Sequence, residues 1–180
     1  MIKIQEPNSK NMNPDIPFLR NKLGKLYRPC VGIMLVNSNG DILVGKRIDI
    51  RTNYWQMPQG GINDGESVIS ALWREMKEEI GTNDAQIISR SENWLTYEFP
   101  KDLIPKLWKG RYIGQAQMWY LLKFTGGDNS IILDQHDAEF SEVKWEHPSK
   151  ILDKVITFKQ EVYKSLLIEF EQYLEILRNK

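Results

Sequence analysis

The sequence predicts a single α+β domain, and three observations carry that prediction. Residues 67–80 hold no Gly or Pro and show helical apolar spacing. Short apolar stretches at 31–36, 42–47, 94–99, 114–124 and 139–145 are cut apart by Gly, Asn and Pro, as strands are. A longer segment, 154–177, closes the chain with a second helical stripe. At 180 residues, 41% of them hydrophobic, the chain can bury one sizeable core.

Residues 1–24 are polar, with Pro7, Pro14, Pro17 and several Asn, and read as a flexible N-terminal tail before a domain spanning 25–180. Order begins at Tyr27-Arg28-Pro29-Cys30. The run 31–36, the Asn39-Gly40 turn and the run 42–47 make a hairpin. Lys46 and Arg47 end its return strand, either as an exposed terminus or as phosphate contacts. Residues 55–59 lead into Gly60-Gly61, where the backbone can approach a phosphate closely. In the strand 114–124, Gln115, Gln117 and Trp119 alternate with Ala116, Met118 and Tyr120. Gln side chains on one strand face make either a polar cleft floor or a solvated sheet face. Residues 100–113, with Pro100, Pro105 and Gly110, form a loop over the site, and Gly126-Gly127-Asp128 is a turn. Glu139-Phe140 opens the last strand. The closing helix aligns Ile156, Val162, Tyr163, Leu166, Phe170, Tyr173, Leu174 and Leu177. His136 and His147 fall in loops and read as surface residues.

Lys plus Arg and Asp plus Glu number 24 each. That balance excludes a strongly basic surface for gripping long nucleic-acid backbones, but not a few local contacts with an RNA end. Cys30 is alone, which rules out an intramolecular disulfide and a thiolate metal cluster. No stretch could span a membrane and no secretory signature opens the chain, so the expected compartment is the cytoplasm.

The helix at 67–80 carries the chemistry. Val68, Ile69, Leu72, Trp73, Met76 and Ile80 share one arc, with Ser67, Ser70, Arg74 and Lys77 opposite. Glu75, Glu78 and Glu79 lie between, three and four residues apart, at the margin of the apolar stripe. Three like charges this close repel, more strongly where water is partly excluded. A divalent cation with oxygen ligands removes the conflict. The plain alternative is a solvated acidic face partnered by Arg74 and Lys77.

The spacing decides between them. Gly60, Glu66, Arg74-Glu75, Glu78-Glu79 and Gly81 match the Nudix box at all seven of its fixed positions. With residues at about 5–7% each, the coincidence is on the order of one in a million. The sequence therefore resembles a Nudix hydrolase. The resemblance implies an α/β/α sandwich with a mixed central sheet, and cleavage of nucleoside diphosphates linked to another group. It implies two or three Mg²⁺ (or Mn²⁺) ions on Glu75, Glu78 and Glu79, and a Glu66–Arg74 ion pair bracing loop against helix. Gly60 and Gly81 are structural in that reading. Thr82 stands where the family has an aliphatic residue, and only a packing effect is expected there.

The resemblance extends over about residues 26–178. Tyr27-Arg28-Pro29, Trp55-Gln56-Met57-Pro58-Gln59-Gly60-Gly61, Trp94-Leu95-Thr96-Tyr97, Gly114-Gln115-Ala116-Gln117, Glu139-Phe140 and Phe158-Lys159 follow in this order in one Nudix branch. That branch holds the bacterial RNA 5′-pyrophosphohydrolases of the invasion-associated type and the similar diadenosine tetraphosphate hydrolases. It implies Glu139 as a fourth metal ligand, with Glu75 or Glu79 as general base. It implies that Arg28, Arg47, Gln115 and Lys159 approach the phosphates or first nucleotide, and that Tyr97 and Phe158 stack on a base. Ala116 and Met118 stand where the RNA enzymes often have Lys, and Glu142-Val143-Lys144-Trp145 replaces a Trp-Arg-Trp. Ala116 is also usual in the plant-type tetraphosphate hydrolases. The expected activity is metal-dependent removal of pyrophosphate from the 5′ end of di- or triphosphorylated RNA. The alternative is hydrolysis of free dinucleoside polyphosphates, diadenosine tetraphosphate giving ATP and AMP; a non-catalytic nucleotide-binding module ranks third.

Overall fold

The computed structural model describes residue 16 and residues 19–48, 53–127, 129–133 and 139–179. Most of the expected tail, Asp128 of the expected turn and His136 lie outside the described residues. The elements are β1 (Tyr27–Val36), β2 (Ile42–Arg47), β3 (Trp55–Gln56), β4 (Gln59–Gly61), α1 (Val68–Ile80), β5 (Ala85–Arg90), β6 (Leu95–Glu98), β7 (Gly114–Phe124), β8 (Phe140–Glu146), α2 (Gln160–Glu169) and α3 (Glu171–Arg178). Among the described residues the strands form one sheet in the order β3-β2-β1-β7-β5, with β8 added to β2, β4 to β1 and β6 to β7.

β1 and β7 run parallel from Tyr27 opposite Gly114 to Val36 opposite Lys123, while the remaining pairings are antiparallel. The sheet is therefore mixed. β1 is covered on both faces, which is why 31–36 reads as an unbroken apolar run. Its Val31, Ile33 and Leu35 pack with Leu72, Met76 and Ile80 of α1. Its Met34 and Val36 pack with Tyr163, Leu166, Phe170 and Leu174 of the closing helices. Among the described residues, one helix on one face and two on the other complete the α/β/α sandwich.

Ser67 caps α1 by accepting the Ser70 N–H at 3.0 Å, and Gly81, at φ 76°, donates its N–H to Lys77. That left-handed end is open to Gly because it has no Cβ to clash. The buried face of α1 comprises Ala71, Leu72, Glu75, Met76, Glu79 and Ile80, while Ile69 is 43% exposed. Glu75 and Glu79 thus go deeper than the margin expected for them, because α1 packs on β4 as well as on β1. Burying Leu72, Met76 and Ile80 contributes roughly 1.5–3 kcal/mol each.

Three other elements differ from expectation. β5 was not expected: Ala-Gln-Ile-Ile-Ser-Arg lacks clean alternation, and its strand form depends on pairing with β7, across a register shift. The single closing helix is instead a 3-10 turn (Thr157–Lys159), α2 and α3, broken at Phe170. Its apolar spacing runs through the break, so periodicity could not reveal it. The loop 100–113 contains two 3-10 turns, Ile104–Lys106 and Trp108–Gly110. No helix among the described residues is long and apolar enough to cross a membrane.

Candidate active site

β4 and α1 build the acidic floor of the site together. The Gln59 N–H donates to Glu79 Oε2 at 2.8 Å, so the strand holds the helix carboxylate directly. The Glu75 carboxylate fills the space where a Cβ on Gly60 would lie, which accounts for the glycine. Arg74 joins the pieces. Its Nε and Nη2 donate to Glu66 at 2.8 and 2.7 Å, Nη2 also to Gly61 O at 2.7 Å, and Nη1 to Glu75 and Glu78 at 2.7 and 2.9 Å. Glu66 in turn accepts the Asn63 N–H at 3.0 Å, so the loop before α1 is tied to it as the brace requires. Glu139, just ahead of β8, accepts from Arg47 at 3.0 Å. Thr82 is buried, and its hydroxyl accepts the Asp84 N–H.

A cleft of about 540 Å³ opens beside this floor. Glu75, Glu78, Glu139, Arg28, Arg47, Tyr97, Gln115, Phe158 and Lys159 all line it, together with Gly60. Glu79 lies beneath, 2% exposed; Glu66, Arg74 and Gly81 support from outside. The Tyr97 and Phe158 rings already touch, centroids 5.5 Å apart, with Phe99 edge-on to each. Leu103, Leu107 and Trp108 bring the 100–113 loop to the rim, as a loop over the site would.

The Gln residues form a buried network rather than a solvated face. The Trp119 indole N–H donates to Gln117 Oε1, so Gln117 Nε2 must donate onward, and it does, to Gln59 and Gln115. Gln59 Nε2 also donates to Gln115 Oε1. Lys159 Nζ donates to Gln56 Oε1 at 2.8 Å and to Gln59 Oε1 at 3.2 Å. Burial, and then the positive charge of Arg47, bring Lys159 down to about 8. Gln56, Gln59 and Trp108 are site residues that sequence reasoning passed over. Strands of two and three residues are too short to carry a periodic signal, so only the network shows the use of Gln56 and Gln59.

Whether the acidic groups suit a divalent cation can be tested on their surroundings. Among the described residues Glu79 Oε1 is buried without a hydrogen-bond partner. Burial, then the charges of Glu139 and Glu75, push the Glu79 carboxyl well above the usual carboxylate range. Burial raises Glu75 as well, with Glu78 and Glu139 adding and Arg74 opposing. Among the described residues no three such groups already stand in a ligating arrangement, since Arg74 spans Glu75 and Glu78 and Arg47 holds Glu139. A partnerless buried acceptor among mutually repelling carboxylates nevertheless matches what a hard cation with oxygen ligands requires. His147, by contrast, is exposed and caps a 3-10 turn away from the cleft.

Comparison with known proteins gives the family and the fold. The NUDIX domain matches residues 26–166. A Wolbachia pipientis protein named RNA pyrophosphohydrolase is 45% identical over 84% of this chain and 93% of its own length. A Rickettsia typhi protein of the same name is 42% identical over 93% of this chain and 99% of its own. The Escherichia coli dihydroneopterin triphosphate pyrophosphohydrolase structure shares the fold, with TM-score 0.63 at 18% identity, covering 81% of this chain and 99% of that one. A Caenorhabditis elegans Ap4A hydrolase complex does so at TM-score 0.57 and 18% identity, over 81% of this chain and 98% of its own. Matched along most of its length by the domain and by relatives above 40% identity, the chain belongs to the Nudix family.

Proposed function

We propose that this Nudix protein removes pyrophosphate from the 5′ end of di- or triphosphorylated RNA, using Mg²⁺ or Mn²⁺. One observation carries the reading. A single cleft holds the carboxylates of Glu75, Glu78 and Glu139, the cations Arg28, Arg47 and Lys159, and the Tyr97–Phe158 ring pair. That neighbourhood supports a reading in which cations, phosphates and a base share one volume. The name shared by the relatives supports RNA as the substrate, and an RNA substrate makes the cytoplasm the place of reaction.

In this reading Glu75, Glu78, Glu79 and Glu139 hold two or three ions, which when bound neutralise phosphate oxygens and make water a better nucleophile. Arg28, Arg47 and Lys159 hold the phosphates, the arginines through their planar forks. Gln115, its oxygen already occupied by two amide donors, is left with its N–H groups to offer to an oxygen in the cleft. Tyr97 and Phe158 stack on a base, a contact tolerant of base identity. Glu75 or Glu79 accepts the proton of the attacking water. The products are pyrophosphate and a 5′-monophosphate end.

Free dinucleoside polyphosphates are the second reading, favoured by Ala116 in place of Lys. The deciding experiment measures pyrophosphate release from di- and triphosphorylated RNA against ATP release from diadenosine tetraphosphate, at equal enzyme with Mg²⁺. RNA is expected to be preferred; a large preference for the free dinucleotide overturns the proposal.

A further inference from the structure

A second groove, of about 520 Å³, opens beside the cleft and shares Arg28 and Trp108 with it. Lys109, Arg111, Tyr112 and Asp64 also line the groove. Three cations against one carboxylate make it locally basic on a chain whose formal charge is zero. Its aromatic rings are paired with those cations. The Arg28 guanidinium lies 4.7 Å from the Trp108 ring centroid, and that of Arg111 lies 5.2 Å from Tyr112. The Trp108 and Tyr112 rings meet edge to face at 6.3 Å.

Trp108 is 39% exposed, unusual for so large an indole without a partner surface. It and Lys109 adopt φ of 43° and 56°, left-handed backbone in two successive residues that carry a Cβ. Such strain persists where the surrounding structure imposes it, and it concentrates at binding sites. Its effect here is to stand Trp108 on the divide between cleft and groove.

We propose that this groove is the subsite for the nucleotides that follow the first one of a single-stranded RNA. Lys109 and Arg111 take the internucleotide phosphates, and the Trp108 and Tyr112 rings take the faces of unpaired bases, the combination by which single strands are held without sequence readout. The inference rests on the functional reading above. A dinucleoside polyphosphate has no internucleotide phosphodiester to place there, so the groove separates the two substrate classes that the cleft alone does not.

The test uses the full chain and a Lys109→Gln/Arg111→Gln variant, both positions being exposed. Substrates are triphosphorylated RNAs of two and of eight nucleotides and diadenosine tetraphosphate. The wild type is expected to favour the longer RNA in kcat/KM by roughly tenfold. The variant loses that advantage through KM, losing much more on the eight-nucleotide RNA than on the two-nucleotide one with its single internucleotide phosphate, keeps its rate on diadenosine tetraphosphate, and shows a salt dependence shallower by about 1–2 in log–log slope. Equal losses on both RNAs, or a wild type indifferent to length, overturn the subsite while leaving the RNA reading intact. Absence of pyrophosphate release from any RNA overturns both.

Discussion

Replacing Arg74 by Lys separates charge from shape at the centre of the site. The guanidinium makes five hydrogen bonds, two to Glu66 and one each to Gly61, Glu75 and Glu78. An ammonium has three donors on one atom, so at least two of the five are lost. Charge-assisted bonds of this kind contribute about 1.5–3 kcal/mol each when buried. The side chains of Arg74, Glu66 and Glu75 are 27%, 15% and 11% exposed, whereas Glu78 is 58% exposed and its bond counts for little. The expected cost of Arg74→Lys is therefore about 2–4 kcal/mol. Urea unfolding of the metal-free protein measures it, as a lower midpoint with an unchanged m-value. A double-mutant cycle with Glu66→Gln should return a coupling of about 1–3 kcal/mol, because both changes break the same bidentate pair. A loss under about 0.5 kcal/mol, or strict additivity, would refute the claim that Arg74 holds loop, strand and helix together.

The other predictions address the cleft directly. Gly60→Ala puts a Cβ into the Glu75 carboxylate; it should cost about 1–3 kcal/mol of stability and about a hundredfold in turnover, and normal turnover would contradict the packing described. Because burial brings Lys159 down to about 8, kcat/KM should fall as pH rises through that value, and Lys159→Gln should remove this alkaline limb from the profile. Glu75 and Glu79 have folded values above the ordinary 4.5, so the folded state binds more protons and the metal-free protein loses stability as pH rises from 4.5 through those raised values. Mg²⁺ should accordingly raise the melting midpoint at pH 7.5 and much less at pH 5, where protons occupy the same oxygens; equal shifts at both would count against Glu75 and Glu79 as ligands.

Much of the site was legible because it is local. Glu75, Glu78 and Glu79 fall within one helix, where a rotation of about 100° per residue converts spacing into proximity without reference to the rest of the chain, while Gly60, Glu66 and Arg74 took their roles from the resemblance of the surrounding motif. The hairpin at Asn39-Gly40 and the alternation of β7 were readable for the same reason. Glu139, Phe158 and Lys159 were reached only through resemblance, since no local period connects them to the helix. β5 and the break at Phe170 were missed where local pattern was silent or continuous across the change.

By itself, then, the sequence determined the acidic helix and its Gly81 cap, because hydrogen bonds and side-chain neighbours within a helix span only three or four residues; its Glu66–Arg74 brace was reached through resemblance. Tertiary structure alone decided that Glu75 and Glu79 are drawn under β4, that Lys159 meets Gln56 and Gln59 from about a hundred residues away, and that Trp108 stands between cleft and groove. Those placements follow from which apolar faces of β1 and β7 are buried against which helices, a choice made by the whole chain as it excludes water and by no segment of it alone.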